Sequence, residues 1–253
     1  MRRSPGVRLC ATAAMGTLSV ALVTGCSGSG TRNRVPNAAT LDRLVMAEGE
    51  LPGYEIRPTE PGTTAGDPPT SAEAACRPLL PLLAGTAPGT PAAQVSRTAA
   101  EKGAPETHAT ALDGLSEGEL KDAVRRSMDR DVTVITLASY GGDGAHRALR
   151  SVSGAVRACA DGFGGTGPGE RRAFSAFTPE HASDTGEESV AFAATGGGSA
   201  SGDTAGEGSV HFQVVRHGST LATYMTMNVG AMMARRAYAV PARVIGAQSA
   251  KLR

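Results

Sequence analysis

The chain has 253 residues, with 25 Lys and Arg against 24 Asp and Glu, no Trp, and aromatic residues at only 4%. A formal charge of +1 gives no electrostatic basis for a nucleic-acid partner or for a globally basic, membrane-binding surface. With aromatics scarce and Gly alone supplying 33 residues, core contacts are expected mainly from Val, Leu, Ala and Met. These side chains bury less area than aromatic ones, so a covalent staple matters more.

The N-terminus reads Met1-Arg2-Arg3-Ser4-Pro5-Gly6-Val7-Arg8, basic and free of acids, and continues into a small and apolar run from Leu9 to Thr24. This is the charged and apolar pattern of a secretory signal peptide, and the run is shorter than the roughly 20 apolar residues of a transmembrane helix. It ends in Val23-Thr24-Gly25-Cys26, a branched apolar residue, two small ones and a cysteine, which resembles the lipobox of bacterial lipoproteins. The resemblance implies that the Cys26 thiol carries a diacylglyceryl group and that residues 1–25 are removed. A plain signal peptide cut elsewhere is the alternative. Arg2-Arg3 also permits twin-arginine export, which Pro5 and the lack of a following Phe-Leu disfavour.

Two or three acyl chains, at about 0.8 kcal/mol per buried methylene, hold a protein on a bilayer. The expected organisation is therefore a signal peptide over 1–25, a lipidated Cys26 with a flexible tether over 26–37, and one domain over 38–253 on the extracytoplasmic face of the cell membrane. Removing the three arginines of residues 1–25 leaves 22 basic residues against 24 acidic, a formal charge of −2.

In chain order, Asn37 to Glu50 reads as a helix carrying Leu41, Leu44 and Val45, capped by Asn37 or Thr40 and stopped by the Leu51-Pro52-Gly53-Tyr54 turn. A strand near Ile56 leads into a Pro-rich exposed loop that ends about Thr70. Ser71 to Leu83 predicts a short helix capped by Ser71, with Cys76, Leu79, Leu80 and Leu83 on one face and irregularity at Pro78 and Pro81. Ala93 to Ala100 and Thr107 to Leu112 read as weak strands, and Glu117 to Met128 as a charged helix in which Leu120, Val124 and Met128 recur every four residues.

Val132 to Ser139 is rich in branched residues and predicts a central strand. After Tyr140-Gly141-Gly142, Asp143 caps a helix whose Ala145, Leu149, Val152, Val156, Cys159 and Phe163 define one buried face. Strands are expected at Arg172 to Phe177 and Glu188 to Ala194, followed by a hairpin of Val210 to Arg216 with Thr220 to Asn228. Gly196 to Gly208 is a small-residue insertion, and Pro241 opens a closing helix with Val244, Ile245, Gln248 and Leu252. Strands and helices mix without regular alternation, which predicts an α+β fold with an antiparallel β-sheet flanked by helices.

Of the four cysteines, Cys10 leaves with the signal peptide and Cys26 is the lipid site, so Cys76 and Cys159 remain. In an oxidising compartment these two are expected to form a disulfide. A redox or metal-binding thiol pair lacks its C-x-x-C spacing and a nearby His.

Chemical motifs are sparse. The Gly-x-Ser-x-Gly spacing occurs once, at Gly114-Leu115-Ser116-Glu117-Gly118, where the serine opens a charged helix; there is no Ser-x-x-Lys, and the five histidines show no H-E-x-x-H spacing, so no cofactor or metal is expected. His211 and His217 flank a turn, either meeting across it or standing as two exposed histidines. Gly164 to Gly169 lacks the Gly-Lys-Ser/Thr of a phosphate loop and follows a helix, which excludes that reading. Asp184, Glu187 and Glu188 are either catalytic carboxylates or a solvated loop. Arg147, Arg150 and Arg157 project from the polar side of the 143–160 helix, with Arg125 and Arg126 shortly before. They form either a surface for anionic envelope polymers and phospholipid headgroups or an ordinary solvated helix face.

The order of a helix, the Leu51-Pro52-Gly53-Tyr54 turn, a cysteine, a strand ending Ala138-Ser139-Tyr140 and a helix ending Val156-Arg157-Ala158-Cys159, then Glu188-Ser189-Val190-Ala191-Phe192 and a Val214-Val215-Arg216-His217-Gly218 hairpin, resembles the PknH-like extracellular sensor domain. That family occurs outside receptor Ser/Thr kinases and as free-standing lipoproteins. The resemblance spans roughly Ala38 to Leu252, with Leu51–Tyr54 and Ala155–Cys159 its better motifs. It implies an antiparallel sheet flanked by helices around a cleft, no established chemistry, and an envelope ligand. The chain departs from the family in having one disulfide pair where kinase-linked domains carry more, and in the Gly196–Gly208 insertion.

The function expected is a membrane-anchored, non-catalytic, sensor-like or ligand-binding module of the cell envelope, with an unknown envelope ligand or protein partner. A partner-binding or structural lipoprotein would instead present an apolar patch and no closed pocket. A secreted hydrolase would bring perturbed titratable groups together in one pocket.

Overall fold

The computed structural model describes residues 35–59, 70–103, 116–167, 170–197 and 208–253. Among them, eight strands pair antiparallel throughout: β1 (Tyr54–Pro58), β2 (Ala93–Glu101), β3 (Val132–Ser139), β4 (Phe163–Gly167), β5 (Glu170–Glu180), β6 (Glu188–Gly197), β7 (Gly208–His217) and β8 (Thr220–Met227). Their order in the sheet is β1-β2-β3-β8-β7-β6-β5-β4. The helices are α1 (Ala38–Leu44), α2 (Leu80–Leu83), α3 (Glu117–Ser127), α4 (Gly144–Ala158), α5 (Val229–Met233) and α6 (Ala242–Lys251), with a 3-10 segment at Ala74–Leu79. The class is α+β, an antiparallel sheet flanked by helices.

The topology follows from two meanders that meet in the middle. The first half of the chain builds inward from β1 to β3 and the second half inward from β4 to β8, so β3 and β8 close the sheet. Seven consecutive residues of β3, from Thr133 to Ser139, are buried, because layers cover both of its faces. This is why its sequence is a branched run and not an apolar-polar alternation.

On the first face lies α4, with Ala145, Leu149, Val152 and Val156 buried together with Ala148 and Ala155. The core is mostly Leu, Val and Ala, as the composition leads one to expect, and beneath α4 it also gathers the aromatics. All five phenylalanines of the chain, Phe163, Phe174, Phe177, Phe192 and Phe212, form one row across β4 to β7 with neighbouring ring centroids 4.9 to 6.2 Å apart. The shortage of aromatics is thus offset by concentrating them.

On the second face, α1 and α6 pack Leu41, Val45, Met46, Val244 and Ile245 against Ile135, Leu137 and Tyr224. Gln248 is fully buried there, accepting from Met46 N and donating to Leu44 O, each at 2.9 Å, and so ties the last helix to the first. Helix α1 is shorter than the periodicity predicts. It ends at Leu44 because Val45 is extended, and the following turn is held by Ala47 N donating to Glu50 Oε2 at 2.8 Å.

Other boundaries shift for local reasons. Pro78 and Pro81 break the expected helix of residues 71–83 into the 3-10 segment and α2. Glu73 replaces Ser71 at the cap, and Leu82 is buried in place of Leu83. The glycine-rich stretch after α4 is strand β4, paired with β5, and β6 runs on to Gly197 with Gly196 opposite Gly208. The expected strand at 107–112, the loop at 60–69, residues 1–25 and Cys26 lie outside the described residues.

Candidate functional site

On the second face the helices lie over β2, β3 and β8, and the sheet continues beyond them across β7, β6 and β5. The register sets Ala191 of β6 between Glu180 of β5 and Gln213 of β7, and Ala193 opposite His211. Strands two apart are separated by about 10 Å, a gap that an imidazole and a carboxylate span only over small residues. His211 Nδ1 meets Glu180 Oε1 at 2.9 Å above the two alanines. The edge of the Tyr238 ring lies against His211 at 4.3 Å between centroids, and the Tyr238 hydroxyl donates to Ser209 O. Burial pushes that phenol up to about 12. Beside them Gln213 Nε2 donates to Ser183 Oγ, and Ser189 Oγ donates to Ser183 O at 3.1 Å, which folds the segment after β5 back over the sheet.

His211 is 8% exposed and Gln213 is 3% exposed, so both are held rigidly. With Nδ1 as the donor, the contact is a hydrogen bond from the imidazole to the Glu180 carboxyl oxygen. Nε2 is then an acceptor in the neutral ring and a second donor in the imidazolium. The arrangement is equipped to hold a polar or anionic group or to relay a proton. Among the described residues no hydroxyl or thiol hydrogen-bonds to His211, so the pair has no nucleophile to activate, and no cluster of three or more metal-ligating side chains occurs.

His211 and His217 do not meet. Both stand on β7, because the strand runs through His217 before the turn, and six residues place them about 20 Å apart. His217 belongs to a different corner, where its Nε2 is buried without a hydrogen-bond partner among the described residues and burial lowers its pKa. There Arg216 pairs with Glu187 and, at 3.2 Å, with Glu188, while Gly218 N donates to Glu187 Oε1 at 2.9 Å. His146 Nε2 lies 3.6 Å from Glu188 Oε1. Two of the three acids of the 184–188 cluster therefore clasp the β7–β8 hairpin, and Asp184 is exposed.

Arg147, Arg150 and Arg157 are exposed along the outer side of α4. Arg147 pairs with Asp143 and Arg157 donates to Ser153 Oγ at 2.8 Å. Arg125 and Arg126 do not extend this row, since they sit on α3, which packs against α5. Cys76 and Cys159 are joined in a disulfide that ties the 3-10 segment to the C-terminal end of α4. The His211–Glu180 bridge had no local signal in the sequence, because 31 residues separate its members and only the register of β5 to β7 unites them.

No protein-family model matches the chain, and no curated protein matches it. Among solved structures it is similar to the extracellular domain of PknH from Mycobacterium tuberculosis, with 13% sequence identity and a TM-score of 0.47 over 87% of this chain and 95% of that one.

Proposed function

We propose that this chain is a lipid-anchored, extracytoplasmic binding module of a bacterial cell envelope, held by Cys26 and without catalytic chemistry of its own. The lipobox-like Val23-Thr24-Gly25-Cys26 supports the anchor, and a buried disulfide suits an oxidising compartment. No helix among the described residues is long and apolar enough to cross a membrane.

The observation that carries the binding reading is the His211–Glu180 bridge over Ala191 and Ala193. Two larger apolar residues on β6 would close that face more stably than a half-buried polar pair, because the pair must be desolvated to form. The presence of such a pair, with Gln213 and Ser183 alongside, fits a surface that receives a polar envelope ligand. The row of Arg147, Arg150 and Arg157 is a second contact in this reading, for anionic envelope polymers or headgroups. Unchanged binding to anionic envelope fractions after all three are replaced by Gln removes it.

The test is the intact mass of the membrane-extracted protein with and without reduction, followed by native mass spectrometry of wild type and Glu180→Gln. The expected results are a diacylglyceryl mass on Cys26, a gain of two hydrogens on reduction, and a retained small molecule that Glu180→Gln loses. An unlipidated chain with free thiols overturns the location. An empty domain overturns the ligand and leaves a partner-binding lipoprotein, a reading favoured by the exposed apolar side chains of α3 and α5.

A further inference from the structure

Helix α3 is well ended by its own sequence. Glu119 N donates to Ser116 Oγ at 3.4 Å, and Ser116 N donates to Glu119 Oε2 at 2.8 Å, a reciprocal capping box. Yet the helix has no buried residue, and its half-buried side is Asp122, Ala123 and Arg125. Its other side carries Leu120, Val124 and the C-cap Met128, exposed at 42%, 41% and 44%. The adjoining α5 adds Val229 and Met233 at 48% and 50%. These five are all the exposed large hydrophobic residues among the described ones, and they lie on two touching helices. Gly230 N donates to Met128 O at 3.1 Å, and a Cβ on Gly230 would stand 2.6 Å from Asp129 Cα, so the two helices are fixed in close contact.

The charges around this ledge are unbalanced. Arg125 and Arg236 pair with Asp122 and Asp129, whereas Lys121, Arg126, Arg130 and Arg235 make no ion pair among the described residues. Of the acids on α3, Glu119 is engaged in the cap, which leaves Glu117 against those four cations. An apolar ledge rimmed by cations calls for an apolar surface rimmed by acids.

We infer that the α3–α5 ledge is the docking surface for an acidic, amphipathic helical segment of a partner protein. Leu120, Val124 and Met128 repeat every four residues, which suits a helix laid alongside. The ledge sits poorly for the bilayer to which Cys26 would attach, a point that rests on the anchor proposed above. The chain enters the domain at the Ser139 end of β3, where Ser139 Oγ donates to Pro36 O at 2.6 Å. The helix α3 leads into the opposite, Val132 end, about 25 Å away along the strand. The ledge therefore lies at the end of the domain away from the point where the chain enters it. A second copy suits the ledge no better, since face-to-face ledges would oppose their own cations and five half-exposed side chains fall far short of the roughly 800 Å² per partner of a stable interface.

The test titrates the mature chain with a synthetic helical peptide bearing Leu at four-residue spacing flanked by Glu. The controls are a peptide of the same composition with scrambled Leu positions, a Glu-to-Lys version, and phosphatidylglycerol vesicles. The expected result is saturable binding of the first peptide that weakens at least about tenfold with the Leu120→Ser/Val124→Ser variant and with the Lys121→Glu/Arg126→Glu variant. All three proteins should keep the same circular dichroism.

Equal binding of the scrambled or basic peptide, or no binding, overturns the inference. So does vesicle binding or self-association that the Leu120→Ser/Val124→Ser variant abolishes, which would make the bilayer or a second copy the occupant. Stronger peptide binding after residues 104–115 are replaced by a Gly/Ser linker would make the chain itself the occupant, and would overturn the inference too. Peptide binding with an unlipidated Cys26 would keep the ledge and remove only its membrane-distal placement.

Discussion

Replacing both Cys76 and Cys159 by Ala removes the link between the 3-10 segment and the end of α4, and its cost can be worked from the chain alone. The two residues are 83 apart in sequence. The loop-entropy relation for a closed loop of that length gives about 4 to 5 kcal/mol at 25 °C. Both cysteines are buried beside Leu79, Leu82, Val152 and Val156, contacts that survive the substitution, so the native fold should persist and the loss should come from the unfolded chain's new freedom. Urea unfolding followed by circular dichroism measures it. With a slope of about 2 to 3 kcal/mol/M, the midpoint should fall by roughly 1.5 to 2 M, and the slope should rise slightly because the unfolded chain expands. Adding a reductant to the wild-type protein should reproduce the shift. A loss below about 1 kcal/mol by either route would refute the entropic account and show that the segment is held by its packing.

Three other substitutions probe the fold. Gln248→Leu should cost about 2 to 4 kcal/mol in urea unfolding despite adding apolar volume, because it strands the Met46 N–H and the Leu44 carbonyl in the core; a neutral effect would show that both find other partners. Gly162→Ala should cost more than about 2 kcal/mol, since φ is +79° and the new Cβ would fall 1.9 Å from Phe174 O. Gly49→Ala, at φ +84° with nothing within 4 Å, should cost only about 1 kcal/mol, and equal losses at the two positions would sink the steric argument. His217 titrates below its ordinary value of about 6.5 because burial disfavours the imidazolium, a shift that Arg253 reinforces and Glu187 opposes. The unfolded chain then binds the proton more readily, so this contribution to stability is whole above about pH 6.5 and is lost as pH falls toward the folded value. His217→Asn should flatten the fall in urea midpoint between pH 7.5 and 5, and an unchanged slope would assign that fall to other groups.

What was legible in the sequence is what depends on neighbours in the chain. Val132 to Ser139 declared itself a central strand because burial on both faces leaves no polar alternation, and α4 declared its buried face through Ala145, Leu149, Val152 and Val156. The cysteine pair followed by elimination. The Phe row and the His211–Glu180 bridge did not show, since their members are scattered from residue 163 to 212 and only the pairing of β4 with β5, β6 and β7 aligns them. Composition alone therefore gave the main core residues, Leu, Val and Ala, but not the placement of the few aromatics among them.

Helix α3, read correctly as a charged helix, is the instructive contrast, because its apolar residues recur as regularly as those of α4 and yet face outward. Width separates the two. Around the stripe of α4, Ala148 and Ala155 are also buried, broadening it to the face of 100° or more that a core-facing helix needs. On α3 the positions flanking Leu120 and Val124 are Lys121, Asp122, Arg125 and Arg126, so the stripe is one side chain wide. A stripe that narrow cannot seat a helix on a sheet, but it can seat one helix against another. The domain uses the opposite side of α3, through the close approach at Gly230, for its own attachment. That division leaves the apolar stripe free for an outside helix, and it makes the spacing of Leu120, Val124 and Met128 a mark of a partner's geometry and not of this chain's core.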